Sequence, residues 1–468
     1  MKRREFFKIG SIAAVGTVVG CASNIGSPKY KSFTQKLPIP PKAKYTLNNG
    51  VKLFKLNIQE GEVSFFKGNN TTSTYGINAP FLGETIVVND GDKVRLDVTN
   101  NLDETTTLHW HGIRVDGNND GGPHSIIETG KKWRANINID QFASTCWYHA
   151  HTHMQTGRQV YMGLAGLFIV NDSMGDSLLL PKAYGIDDIP LVIQDRRFFA
   201  DSEFMYKRGM HDTMMGVTGN VHLINGAIDP YVELEPKNIR FRVLNGSNAR
   251  IYNLALEGAE SFHQIAGDSS LLPTPVELRS VTVAPGERIE IVADFSKFAG
   301  KELYLYDNID NRRLLKIKIK NSTPQAESLP EKMLTVDGYE NAKPVNKRVF
   351  TLNMMMGFLG INGKRMDMNR IDERVKKDTF EIWEIENPSP RPHPFHVHGT
   401  GFKILSRDNS APLINETGLK DTVLVYPRER VRILVVFRKL ATEQRPYMYH
   451  CHILEHEDAG MMGQFTVS

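Results

Sequence analysis

Cysteine is almost missing from this chain. Cys21, Cys146 and Cys451 are the only three among 468 residues, too few for a disulfide framework. The apolar run Ile9 to Gly20 is too short to span a bilayer as a helix by itself. Neither sign of charge dominates: 57 Lys and Arg against 53 Asp and Glu leave a formal charge of +4. No Lys/Arg block follows the N-terminus, so no nucleic-acid partner is expected. No long amphipathic helix stands out either. The pattern is instead all-β, with short alternating segments such as Lys93 to Asn100 between Gly, Pro, Asn and Asp.

At 468 residues and 52.8 kDa the chain exceeds one ordinary core, and about three domains are expected. Its 38 Gly and 23 Pro supply the turns a β protein needs. At the N-terminus, Lys2-Arg3-Arg4-Glu5-Phe6-Phe7-Lys8 precedes the apolar run and reads as a twin-arginine export segment. Val18-Val19-Gly20-Cys21 is similar to a bacterial lipobox, which would make Cys21 the site of a lipid anchor. Either way the mature protein is expected outside the cytoplasm, in the periplasm, and residues 1–44 are set aside as signal and lead-in.

Three segments repeat one pattern, an alternating strand that ends at Asn and a turn: Lys93 to Leu102, Asn238 to Asn248 and Thr379 to Ser389. A His-x-His pair follows the first and third copies. Two later stretches also match: Tyr148-His149-Ala150-His151, then Gly163 to Val170; and Tyr449-His450-Cys451-His452, then Gly460 to Val467. The middle copy has no such histidines. Domains are therefore expected at about 45–175, 176–330 and 340–468, each a Greek-key β-sandwich, with a linker around Asn321 to Lys332.

Most of the fifteen histidines fall in four clusters. These are His109 and His111; His149 and His151; His393, His396 and His398; and His450 and His452, flanking Cys451 and followed by His456 and Met461. In a strand, residues two apart share a face about 6.5–7 Å from each other, and the residue between them faces the other way. Cys451 must then turn away from the site of His450 and His452. His393 is out of phase with His396 and His398 and can join Cys451. With His456 and Met461 this gives two imidazoles, a thiolate and a thioether, the donor set of a blue-copper site with a weak axial Met. A structural zinc site would not use a lone Cys with a Met. Eight histidines remain, in four pairs from the first and third domains, and an all-imidazole set suits copper.

On these residues the chain resembles the three-domain multicopper oxidases: His109-Trp110-His111-Gly112, Trp147 to His151, His393 to Gly399 and His450 to Gly463 match that family's four copper motifs. The resemblance implies cupredoxin-like domains and four copper ions. It assigns His393, Cys451, His456 and Met461 to a type 1 copper, and His109 and His396 to a type 2 copper. Of two type 3 coppers, one would take His111, His149 and His452, the other His151, His398 and His450. Electrons from a metal-ion or small-molecule donor would pass from Cys451 to its two histidine neighbours and reduce O2 to water. Asp120 and Glu457 resemble the family's proton-supplying acids. Ala150 in place of Cys451, and Leu164 in place of Met461, explain why the first domain lacks an electron-entry copper. A monomer is expected.

The donor is less legible. Met205, Met210, Met214 and Met215, and Met354, Met355, Met356, Met366 and Met368, form two methionine-rich patches whose thioethers suit Cu(I). A cuprous or ferrous oxidase is favoured over a phenol-oxidising laccase, and both over a copper-free scaffold of the same fold. Ser389-Pro390-Arg391-Pro392 departs from the copper-efflux oxidases, which place an Asp and a Met there. Cys146 is read as a buried free thiol, and His153 as lying beyond the cluster.

Overall fold

The computed structural model describes residues 28–68, 70–334 and 339–468, so the export segment and Cys21 lie outside the described residues. Six β-sheets form three pairs. The first pair contains Val51–Val63, Lys93–Asn100 and Lys132–Asn138 in one sheet, and Ile86–Asn89, Ala165–Asn171, Ser144–His149 and His109–His111 in the other. The last pair repeats this plan: Asn346–Met355, Phe380–Glu386 and Arg430–Val436 face Glu373–Val375, Met462–Val467, Tyr447–Cys451, His393–Val397 and Thr422–Val425. Apolar side chains from both sheets of each pair meet in one core, such as Leu96, Trp110 and Phe168 in the first and Trp383, Phe395 and Phe465 in the last. The chain is therefore mostly β, in cupredoxin-like sandwiches.

The three repeated segments occupy one structural position. Lys93–Asn100, Asn238–Asn245 and Phe380–Glu386 each have a parallel neighbour on one side and an antiparallel neighbour on the other. The Asn that ends each copy turns the same corner. Asn100 donates through Nδ2 to the carbonyls of Glu104 (2.8 Å) and Ile127 (2.9 Å), and its Oδ1 accepts from the Leu102 amide (3.0 Å). Asn245 does so with Arg250, Val283 and the Ser247 amide, and Asn387 with Arg391, Val425 and the Ser389 amide. A short side chain that carries both donors and acceptors can satisfy a buried turn in this way.

The middle pair of sheets holds the outer two together. Glu290 accepts from Thr145 of the first sandwich (2.6 Å) and from its own neighbour Arg242 (2.9 Å). Toward the third sandwich, Arg288 pairs with Asp421, both fully buried. The lead-in strand attaches first to the middle sandwich, where the Leu37 amide donates to the Tyr231 carbonyl (2.7 Å), and only then to the first. Among the described residues no helix is long and apolar enough to cross a membrane.

Candidate metal centre

Antiparallel pairing sorts the last cluster into two faces. His393–Val397 lies beside Tyr447–Cys451 with His396 opposite His450 and Phe395 opposite Cys451. Cys451 therefore points with Phe395 into the core of the third sandwich, and its two histidine neighbours point out of it. The Cys451 Sγ lies 3.4 Å from His393 Nδ1 and 3.6 Å from His456 Nδ1, and these two nitrogens are 3.3 Å apart. His456 comes from the short helix Leu454–Asp458; the Cys451 amide donates to the carbonyl of the buried Met461 (3.0 Å).

Both rings are turned by their far nitrogens. His456 Nε2–H donates to the Met214 carbonyl of the middle sandwich (3.0 Å). Ser389 Oγ donates to Asn387 Oδ1 (2.7 Å) and so accepts from His393 Nε2–H (2.9 Å). The serine that departs from the copper-efflux pattern thus orients a ring of this cluster. Burial holds both imidazoles below their ordinary range, His456 at about 4, and keeps them neutral.

The other eight histidines meet between the first and third sandwiches, all nearly inaccessible to solvent. His109 stacks on His398 with centroids 3.9 Å apart, and His111 on His396 at 3.7 Å. His151, His398 and His450 converge, with Nε2 atoms 3.2–3.3 Å from one another. His111 Nδ1 lies 3.4 Å from His149 Nε2, and His452 stands edge-on to both rings.

Two acids lie behind the converging triad. Glu457 Oε1 is 3.2 Å from His151 Nδ1 and its Oε2 is 3.1 Å from His450 Nδ1; Asp120 Oδ2 is 2.9 Å from His398 Nδ1. Burial raises both carboxyls, but the imidazoles beside them prevail: His398 and His109 hold Asp120 below its usual range, and His151 and His450 bring Glu457 to about 2. With the Nδ1 protons facing carboxylates, three Nε2 lone pairs are left pointing at one spot. His109 and His396 give their Nδ1–H to the carbonyls of Asp120 (2.9 Å) and Asp421 (2.8 Å), and their buried Nε2 atoms have no hydrogen-bond partner among the described residues. Neutral imidazoles crowded in this manner repel one another unless a cation lies between them. A copper-type ion at each cluster fits this donor set.

Several contributing residues carry no sequence signal of their own. Asp421, Thr422, Arg288 and Gly286 stand in ordinary strand-and-turn contexts and reach the histidines only through tertiary contact. Trp147 stacks on His149 at 4.1 Å. Cys146 is buried and free, with Ser144 and Gln141 as its partners. His153 stands outside the eight and lines a cavity of about 300 Å³ with Met154, Met210, Met214, Met366 and Asp458. Met205 instead is core, while Met355 and Met356 are exposed. His124 Nε2–H donates to Gln464 Oε1 at 2.8 Å across the first and third sandwiches.

Residues 57–175 and 331–468 match two family models, each described as multicopper oxidase. The multicopper oxidase Mco of Staphylococcus haemolyticus is 40% identical over 425 residues, 90% of each chain. The cell division protein FtsP of Proteus mirabilis is 33% identical over 482 residues, 100% of this chain and 98% of its own. Among solved structures, a laccase from Pediococcus acidilactici superposes with a TM-score of 0.87 at 35% identity, covering 94% of this chain and 96% of that one.

Proposed function

The chain belongs to the multicopper oxidase family, and we propose that within it this protein is a cuprous oxidase with four resident coppers. On this reading His393, Cys451, His456 and Met461 hold the type 1 ion and His109 with His396 the type 2 ion. His111, His149 and His452 hold one type 3 ion, and His151, His398 and His450 the other. Bound copper supplies one-electron redox chemistry at both clusters and the affinity for dioxygen at the larger one. The protein contributes the rest. One peptide unit on either side of Cys451 joins the two clusters covalently through His450 and His452. Burial keeps bulk water out of both. Glu457 and Asp120, against the far nitrogens of the triad, are placed to pass protons toward it.

The observation that carries the substrate is the wall of the methionine-lined cavity. Met214 lines it, and the carbonyl of the same residue accepts the His456 Nε2 proton at 3.0 Å. Soft thioethers and an imidazole thus gather one hydrogen bond away from a type 1 ring, as capture of Cu(I) requires. Steady-state oxidation of Cu(I), Fe(II) and a bulky phenol tests this. Replacing Met154 and Met366 together by Leu should cut efficiency on Cu(I) about tenfold, equal to about 1.4 kcal/mol, and leave phenol oxidation as it was. Equal efficiency on phenol without added copper would overturn the reading in favour of a laccase, the activity named for the Pediococcus relative. A chain that takes up no copper on reconstitution would overturn the oxidase reading and leave a role in cell division, the one named for the FtsP relative.

The same reading takes Lys2 to Gly20 as a twin-arginine export signal and gives the enzyme a task in periplasmic copper tolerance. Changing Arg3 and Arg4 to Lys should leave the protein in the cytoplasm on cell fractionation; unchanged export would refute the signal.

A further inference from the structure

The middle sandwich holds none of the eleven histidine and cysteine residues of the two clusters, yet one of its turns touches the larger one twice. Gly286 lies in the left-handed region (φ 81°), and a Cβ there would stand 2.8 Å from Cγ and Cδ2 of the His452 ring. Two residues on, Arg288 donates to the Gly286 carbonyl (2.8 Å) and grips Asp421 with both terminal nitrogens, the Nη1 to Oδ1 bond being 2.7 Å. Asp421 Oδ1 in turn accepts from His111 Nε2–H at 3.0 Å.

These contacts matter because His111 and His452 differ from the other six. Each of the six directs Nδ1 at a backbone carbonyl or a carboxylate and leaves Nε2 for the cluster. His111 is reversed: Asp421 takes its Nε2 proton, and Nδ1 faces His149 Nε2 at 3.4 Å. His452 has no hydrogen-bond partner on either ring nitrogen among the described residues, so packing alone sets its plane. The reversed ring and the untethered ring are both served by one turn.

We propose that the turn from Pro285 to Arg288 positions two ligands of one type 3 copper. Arg288, through Asp421, fixes the tautomer and tilt of His111, and the absent side chain of Gly286 fixes the seat of His452. These are positioning residues, and the inference rests on the four-copper reading given above. A carboxylate held bidentately by a buried guanidinium is a rigid acceptor, because both of its oxygens are committed.

The test uses the full chain reconstituted with copper. Metal per chain is measured by mass spectrometry against rising chelator, together with the absorption at about 600 nm expected of a copper–thiolate site and the unfolding midpoint of the copper-free form. Asp421→Asn and Gly286→Ala should each release one copper at roughly 10- to 100-fold lower chelator than wild type, with the blue absorption retained. Glu290→Gln, at the interface of the middle sandwich with the first and touching no histidine of the cluster, should lower the midpoint and keep all four. Loss of one copper from that control to the same degree would assign the effect to interface stability and overturn the proposal. If Asp421→Asn does not fold, Gly286→Ala decides alone. A wild-type chain with fewer than four coppers overturns the four-copper reading and this inference with it. A four-copper wild type whose variants also keep four overturns this inference only.

Discussion

Glu457 spans two imidazoles, with one oxygen on His151 and the other on His450, and is 1% exposed. A side chain so placed can move a proton only between those rings and whatever reaches it from outside. Glu457→Gln should therefore slow reoxidation by dioxygen by roughly 100-fold, while reduction of the blue site, followed by stopped-flow bleaching, keeps its wild-type rate; unchanged turnover would exclude the role. Ser389 gives a complementary case at the other cluster. Ser389→Ala removes the acceptor for His393 Nε2–H and should weaken copper at the blue site by roughly 10- to 100-fold, read by chelator competition at the thiolate band. The histidines and the cysteine that the structure gathers were legible in the sequence because their periodicity is local: parity along a strand separates Cys451 from its neighbours without tertiary information. Ser389 was legible only as a departure, and Asp421 not at all. A lone Asp before a Thr looks the same whether it caps a turn or grips a buried arginine 133 residues away.

At the scale of elements, the Asn corner recurs in all three sandwiches with the same pair of carbonyls and the same amide. The repeat in sequence pointed to the strand; the corner explains why each copy must end on Asn, since no other side chain so short offers an amide's two donors and its acceptor. Asn245→Ala and Asn387→Ala should each take the donor from one buried and at least one half-buried carbonyl and cost about 2 kcal/mol or more, seen as a lower unfolding midpoint. They should differ in colour. Asn387 also accepts from Ser389 Oγ, so its loss frees His393 and weakens the blue absorption, whereas Asn245→Ala leaves that absorption unchanged. Equal bleaching in both variants would show that the corner acts on copper through global stability rather than through the serine.

At the scale of the molecule, the interfaces are built of buried charges. Glu290 is fully buried against Arg240 and Arg242 and touches Thr145 of the neighbouring sandwich. Burial raises its carboxyl, but the two guanidiniums outweigh burial and bring it from 4.5 to about 2. Since the folded value lies below the unfolded one, the unfolded chain binds more protons between them. The contribution is complete above pH 4.5 and is lost as pH falls toward 2, by about 3 kcal/mol. The gap in unfolding midpoint between wild type and Glu290→Gln should accordingly narrow over that range, and a gap independent of pH would refute the ion pairing. None of this was readable from composition, because 57 basic and 53 acidic residues fix a balance but not which of them are buried together.

The stacked rings between the first and third sandwiches have a consequence in time. His109 lies on His398, His111 on His396, and His151 meets a partner 247 residues further along the chain. Half of the larger cluster is made early in synthesis and half in the last quarter, so a growing chain presents only unpaired halves. Metal acquired before the last sandwich closes would meet an incomplete set of donors. The eight rings thus stand together only once the last sandwich has closed on the first.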